Sequence, residues 1–149
     1  MTGAVIFDVD GTLADVSGMR HYLTDDARRK NFEKFHGASS FAPPHRPIVH
    51  LAQSLSTAGV EVLVVTARME RWRYLTATWL RKWEVPFAGL WMRADGDGRR
   101  DVDVKRDILA SIERRGYTVM LAVDDNPAIV KLWNERRIPT VTWPGWETL

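Results

Sequence analysis

The chain has 149 residues, 45% of them hydrophobic and 27% charged, enough to bury one core and too few to build two of ordinary size. No segment approaches the roughly 20 consecutive apolar residues of a membrane-spanning helix, and the absence of cysteine excludes disulfides, thiolate zinc sites and a cysteine nucleophile. The formal net charge is +2, and 12 of the 21 Lys/Arg residues fall between residues 68 and 115 against eight of the 19 acids, a modest pointer toward an anionic partner.

The N-terminal MTGAVIFDVDG carries no basic region before its apolar run, so a signal peptide is not expected and a cytoplasmic protein is. In chain order, the short apolar runs predict five buried strands: Ala4 to Phe7, Val60 to Val65, Phe87 to Met92, Val119 to Val123 and Thr140 to Trp143. Between them, apolar residues at spacings of three and four predict helices over Pro47 to Thr57, Glu70 to Trp83, Val102 to Arg115 and Pro127 to Arg137. Gly59 and Gly116 are placed to end two helices in left-handed caps, and Pro47 and Pro127 to open two others. Strands apolar on both faces that alternate with helices imply a mostly parallel sheet covered on both sides, an α/β fold of three layers. The polar stretch from about 15 to 45, with Met19, Tyr22, Phe32, Phe35 and Phe41 spread through it, breaks this rhythm. It reads as an insertion of one or two short helices plus loop over the strand ends, within a single domain spanning 1–149.

Ligands of such sheets bind at the carboxyl ends of the strands, and four strings with chemistry fall there. In Val5-Ile6-Phe7-Asp8-Val9-Asp10-Gly11-Thr12-Leu13 a buried strand ends in two carboxylates two residues apart, on one side of the rim. Such a pair can hold a hard cation or divide the roles of nucleophile and general acid/base. Asp-x-Asp-Gly-Thr arises by chance in a chain of this length at a rate on the order of one in a thousand. Leu121 to Pro127 repeats the pattern with Asp124 and Asp125. Here Asp125 or Asn126 could simply cap the helix opened by Pro127, but beside Asp8 and Asp10 the acids would repel each other unless a cation neutralised them. Thr66, in Val64-Val65-Thr66-Ala67-Arg68, is either the cap of the next helix or a ligand for a phosphate oxygen. Lys105, near a helix start, is the fourth.

In the order Asp-x-Asp, Thr, Lys, Asp-Asp, these strings resemble the haloacid dehalogenase (HAD) superfamily of phosphohydrolases. The resemblance implies a Rossmannoid α/β/α sheet of order 3-2-1-4-5. It implies Asp8 as nucleophile forming an aspartyl-phosphate, Asp10 as acid and then base, and Thr66 and Lys105 as ligands of the phosphoryl group. Mg²⁺ would be held by Asp8, the Asp10 carbonyl and Asp124, with Asp125 a ligand directly or through water. Asp10 must begin protonated, so its pKa is expected to be raised by its neighbour and by burial.

Within the superfamily, Ala4 to Ala14, the Trp79 helix ending in Val85-Pro86, Gly96 to Lys105 with Arg99-Arg100-Asp101, and Leu121 to Asp125 followed by Val130 to Trp133 are similar to the 3′-phosphatase domain of bacteriophage polynucleotide kinase-phosphatases. That resemblance implies a DNA or RNA 3′-phosphate end as substrate, with a nucleotide or small metabolite as the alternative and a catalytically silent binding module as another. The insertion reads as longer than in the phage enzymes, and no Gly-x-x-x-x-Gly-Lys-[Ser/Thr] loop is present. Thr12, Arg68, Arg93, Arg99 and Arg100 are the expected substrate contacts, and no membrane partner is expected. Trp72, Trp79 and Trp83, seven and four apart, read as core, and Trp143 and Trp146 as residues bordering the site. His21, His36, His45 and His50 lack metal-ligand spacing and read as ordinary surface or loop residues.

Overall fold

The computed structural model describes residues 2–19, 21–24 and 32–143. Five parallel strands, β1 (Thr2–Phe7), β2 (Glu61–Met69), β3 (Gly89–Arg93), β4 (Tyr117–Asp124) and β5 (Thr140–Thr142), form one sheet in the order β3-β2-β1-β4-β5. This is the 3-2-1-4-5 arrangement the motifs imply. The period-two alternation of β1 divides the core between two layers. Val5 and Phe7 face Ile48, Val49 and Ala52 of α3 (Arg46–Thr57) and Trp79 and Leu80 of α4 (Arg73–Lys82), whereas Ala4 and Ile6 face the opposite side. There they meet Ile108, Leu109 and Ile112 of α5 (Asp101–Arg114) and Ile129, Leu132 and Trp133 of α6 (Pro127–Glu135). No helix among the described residues is long and apolar enough to cross a membrane.

Gly59 and Gly116 adopt φ of +88° and +91° as left-handed caps, and proline stands in the first turn of α3 and α6. The main departure is in β2, which runs four residues past its apolar stretch. A register shift between Val65 and Met69 lets it rejoin β3 at Arg93, so Thr66 lies inside a strand and does not cap a helix. The next helix begins later, too: a short 3₁₀ turn, Glu70–Trp72, precedes α4. Phe87 is left outside β3.

The insertion holds a 3₁₀ turn (Ser17–Met19) and the helices α1 (His21–Thr24) and α2 (Phe32–Ser39). Its two ends are stitched together where they leave the sheet: Asp15 N–H donates to Pro43 O (2.8 Å) and His45 N–H to Leu13 O (2.8 Å). Phe35 and Ala42 are buried in the α3/α4 layer, and the Trp79 indole N–H donates to Ala42 O at 2.8 Å. Trp79 is therefore core, as its spacing indicates, and also ties the insertion down. Trp72 and Trp83 are partly buried against the same layer. Trp143 packs there as well, its ring 5.4 Å from that of His45, and Trp146 lies outside the described residues.

Candidate active site

The carboxyl ends of β1, β2 and β4 converge because parallel strands that begin together end together. β1 delivers Asp8, after which Gly11 (φ +83°) turns the chain and brings Asp10 and Thr12 back over the rim. β4 ends in Asp124, with Asp125 next in the chain, and is paired with the end of β1 through Phe7 and Val123. Behind them α5 runs antiparallel to the strands, and Lys105, on its second turn, points inward at 3% exposure. Its Nζ donates to Asp8 Oδ1 (2.9 Å) and Asp124 Oδ2 (2.8 Å). Asp124 Oδ1 accepts from the Asn126 backbone N–H (3.0 Å). Asn126, not Asp125, caps α6, its side chain accepting from Ala128 N–H (3.0 Å). Asp125 thus belongs to the cluster.

Asp8, Asp124 and Asp125 each present an oxygen within 4.8 Å of the others. Three carboxylates against one ammonium leave this pocket overcharged. Burial and the charges of Asp124 and Asp125 push the Asp8 pKa well above the usual carboxylate range, and Lys105 offsets only part of this. The Lys105 pKa is raised: burial disfavours its charge, but Asp124 and Asp8 overcome that. A set of oxygen donors with excess negative charge and no nitrogen or sulfur ligand fits a hard divalent cation.

Asp10 behaves differently. Burial would raise its pKa, but the Arg68 guanidinium, by charge and by hydrogen bonding, outweighs burial and lowers it. Arg68 Nε donates to Asp10 Oδ2 (2.9 Å) and Nη2 to Oδ1 (2.5 Å), while Nη1 donates to Thr76 Oγ1 (3.0 Å). The raised Asp10 pKa expected from the sequence is therefore corrected. The carboxylate thought to disturb it is not its closest charge, because Asp8 is held by Lys105 and Asp10 by a buried bidentate arginine.

The expected substrate contacts also fall differently. Arg68 is 4% exposed and committed to Asp10. Arg93 is buried too, donating to the carbonyls of Ala67 (2.8 Å), Asp97 (2.9 Å) and Arg99 (2.5 Å) and to Asp101 Oδ1 (2.6 Å). It clamps the Thr66 segment to the first turn of α5 and does not line a path. Arg99 pairs with Asp97 and Asp107, and Arg100 with Asp103, all on the surface. Thr12 is fully buried, its hydroxyl 3.3 Å from Asp8 Oδ2 and 3.2 Å from Asp125 Oδ1, so its single proton serves one carboxylate at a time. Thr66 is 1% exposed and accepts from Arg68 N–H (3.2 Å), which leaves its own hydroxyl proton to donate.

Two residues escaped the sequence. His36, read as ordinary, is buried on α2, its ring 5.2 Å from that of Trp72. Its pKa is lowered to about 4 by burial, which outweighs the raising effect of Asp10, with Arg68 and Arg71 lowering it further. His45 is partly buried, with Nδ1 2.9 Å from Thr12 O, so it braces the loop after Asp10. No local pattern marks either one, since the folded insertion alone brings them near the rim.

Comparison with known proteins agrees with this geometry. A putative bifunctional polynucleotide kinase/RNA ligase of Autographa californica nuclear polyhedrosis virus is 24% identical over 140 residues, which is 93% of this chain and 19% of that protein. A chain from the structure of the Pnkp1/Rnl/Hen1 RNA repair complex superposes with a TM-score of 0.81 at 23% identity, covering 96% of this chain and 42% of that one. The class C acid phosphatase of Bacillus anthracis gives a TM-score of 0.71 at 13% identity over 97% of this chain and 67% of that one. The chain thus spans about a fifth of the curated relative and under half of the repair-complex chain. The model of the polynucleotide kinase PNKP phosphatase domain matches residues 2–143, and the chain belongs to that family of HAD-type phosphatase domains.

Proposed function

We propose that this protein is a Mg²⁺-dependent phosphomonoesterase that removes the phosphate from the 3′-end of a polynucleotide through an aspartyl-phosphate on Asp8. One observation carries the reading: a buried Asp8 pinned by Lys105 at the sheet edge, beside an Asp10 held by Arg68, in a chain that matches the PNKP phosphatase family along nearly its whole length. The polynucleotide substrate rests on that family and on the similarity to polynucleotide kinase/ligase and RNA repair proteins.

An Asp8 carboxylate oxygen attacks phosphorus in line, the P–O3′ bond breaks, and the leaving oxygen takes a proton from Asp10. Water then attacks the acyl-phosphate phosphorus while Asp10 accepts its proton, and Asp8 and inorganic phosphate are released. Lys105 orients Asp8 and, with the Thr66 hydroxyl, neutralises equatorial phosphoryl oxygens, where positioning and charge stabilisation supply most of the acceleration. Arg68 holds Asp10 ionised. A phosphomonoester, with its roughly −1.5 to −2 charge, opposes that guanidinium and raises the Asp10 pKa as it binds. Asp8, Asp124 and Asp125, with the Asp10 backbone carbonyl, would hold Mg²⁺, which supplies charge neutralisation and a template for the phosphoryl group.

The test compares phosphate release from a 3′-phosphorylated oligonucleotide, its 5′-phosphorylated isomer and free nucleotides, in Mg²⁺ and in EDTA. Release from the 3′-end alone, abolished by EDTA, is the expected result. Turnover of free nucleotides with none of either oligonucleotide would overturn the polynucleotide reading and leave a small-metabolite phosphatase.

A further inference from the structure

The leaving side of the reaction is the side of Asp10, so whatever stands beside Asp10 meets the nucleotide that carries the phosphate. That neighbour is His36 of α2, which acts on Asp10, and the wall continues from His36 into Trp72 and Arg71 of the 3₁₀ turn after β2. The His36 ring lies 5.2 Å from Trp72, and the Arg71 guanidinium sits 5.2 Å from the centre of the Trp72 ring on its other contact. The backbone N–H of Arg71 donates to Asp95 Oδ1 (2.9 Å), which fixes where the side chain starts.

The other arginines flanking the site are committed. Arg68, Arg73, Arg93, Arg99 and Arg100 each donate to a carboxylate at hydrogen-bond distance. Among the described residues Arg71 faces a single carboxylate, Glu33, at 3.9 Å, with both side chains open to water (49% and 76% exposed). A pair that long and that exposed contributes little and is readily exchanged for a better anion. Among the described residues Arg71 is thus a cation anchored at its backbone, placed over an aromatic ring, and only loosely neutralised.

Resting on the polynucleotide reading above, we infer that Arg71, seated on Trp72, binds the internucleotide phosphodiester next to the terminal 3′-phosphorylated nucleotide and so sets the preference for a strand over a mononucleotide. A planar guanidinium donates two hydrogen bonds to a phosphodiester, and stacking on Trp72 limits the freedom it loses on binding. Among the arginines that flank the site, the candidates thereby narrow to Arg71, because its neighbours there already serve the protein itself.

Phosphate release is measured in Mg²⁺ on a 3′-phosphorylated oligothymidylate and on thymidine 3′-monophosphate, with the wild-type chain, Arg71→Ala, Arg71→Lys and Arg136→Ala. The last removes an equal charge from a residue paired with Glu113 at the far end of α6. For Arg71→Ala the ratio of kcat/KM on oligonucleotide to that on mononucleotide falls about tenfold, carried by KM. The slope of log KM against log salt drops by roughly 0.7, the value for one single-strand phosphate contact. Arg71→Lys, which keeps the charge and loses the fork, falls in between, and Arg136→Ala keeps the wild-type ratio. An unchanged ratio and slope in Arg71→Ala overturn the assignment while the polynucleotide reading stands. A wild-type chain with no oligonucleotide turnover overturns both.

Discussion

The rim of the sheet has two halves of opposite character. On the β1/β4 half, Asp8, Asp124 and Asp125 are gathered around one lysine, buried and overcharged, and Asp8 is held with a raised pKa. On the β2 half a single carboxylate, Asp10, is held by Arg68, with His36 near it and Arg71 beyond His36, and has a lowered pKa. The first half stores repulsion that a cation would relieve. The second stores positive charge that an incoming phosphate would meet. Two aspartates two residues apart are thereby given different tasks, and the cause is their partners and not their spacing.

The contrast breaks most sharply at Asp8. Asp8→Asn removes the nucleophile while keeping the shape of the side chain, so kcat falls by at least about 10⁴-fold. The folded-state pKa of Asp8 is raised, so its charge costs stability at neutral pH. The same substitution therefore raises Tm in EDTA by about 3 °C, the shift about 1 kcal/mol produces in a chain of this size. A Tm that falls would mean that the Lys105 pairing outweighs the repulsion.

Arg68→Met tests the other half. It frees Asp10 from its guanidinium and leaves burial to raise its pKa, so kcat falls on the order of 100-fold through lost orientation and a mistuned acid. Divalent-cation binding, which belongs to the first half, stays as in the wild type when followed by thermal shift. A matching loss of cation binding would show the halves to be one network. Independently, Mg²⁺ at 100 times its dissociation constant adds roughly 2.7 kcal/mol, a Tm increase of about 8 °C, and Asp124→Asn removes most of it.

The two halves also differ in how legible they were in the sequence. The first is written in short strings, since an apolar strand that ends in paired acids fixes both the elements and the direction of the side chains. For this reason Asp8, Asp124 and Asp125 are legible as one rim from the strings themselves, whereas the strand order and the part of Lys105 come from the family resemblance that the strings carry together. The second depends on contacts between distant segments. Arg68 follows Thr66 and looked like a substrate ligand, but the extension of β2 along β3 turns it inward to Asp10. Arg93 looked similar until its guanidinium was found to close the 94–100 loop. An arginine at a strand end has the same local pattern whether it binds a carboxylate, a carbonyl or a substrate. Helix α2 is short, its neighbours in sequence are polar, and nothing in the spacing of His36 reveals that it folds against Trp72.

His36 gives the mildest test of the second half. It is nearly inaccessible in the folded chain, and its pKa is lowered from 6.5 to about 4, by burial first and then by the cations Arg68 and Arg71, against the opposing pull of Asp10. The unfolded chain takes up a proton near pH 6.5, whereas the folded chain does so only near pH 4. The stability from keeping this imidazole neutral is complete above pH 6.5 and is lost progressively as pH falls toward 4. Between pH 7 and 5 the loss amounts to roughly 2 kcal/mol. Urea midpoints measured in EDTA at the two pH values should therefore fall further for the wild type than for His36→Gln, which cannot be protonated. Equal falls would mean that the ring is charged in the folded protein. The Asp10 side of the rim would then carry one more positive charge, and the difference between its two halves would be larger still.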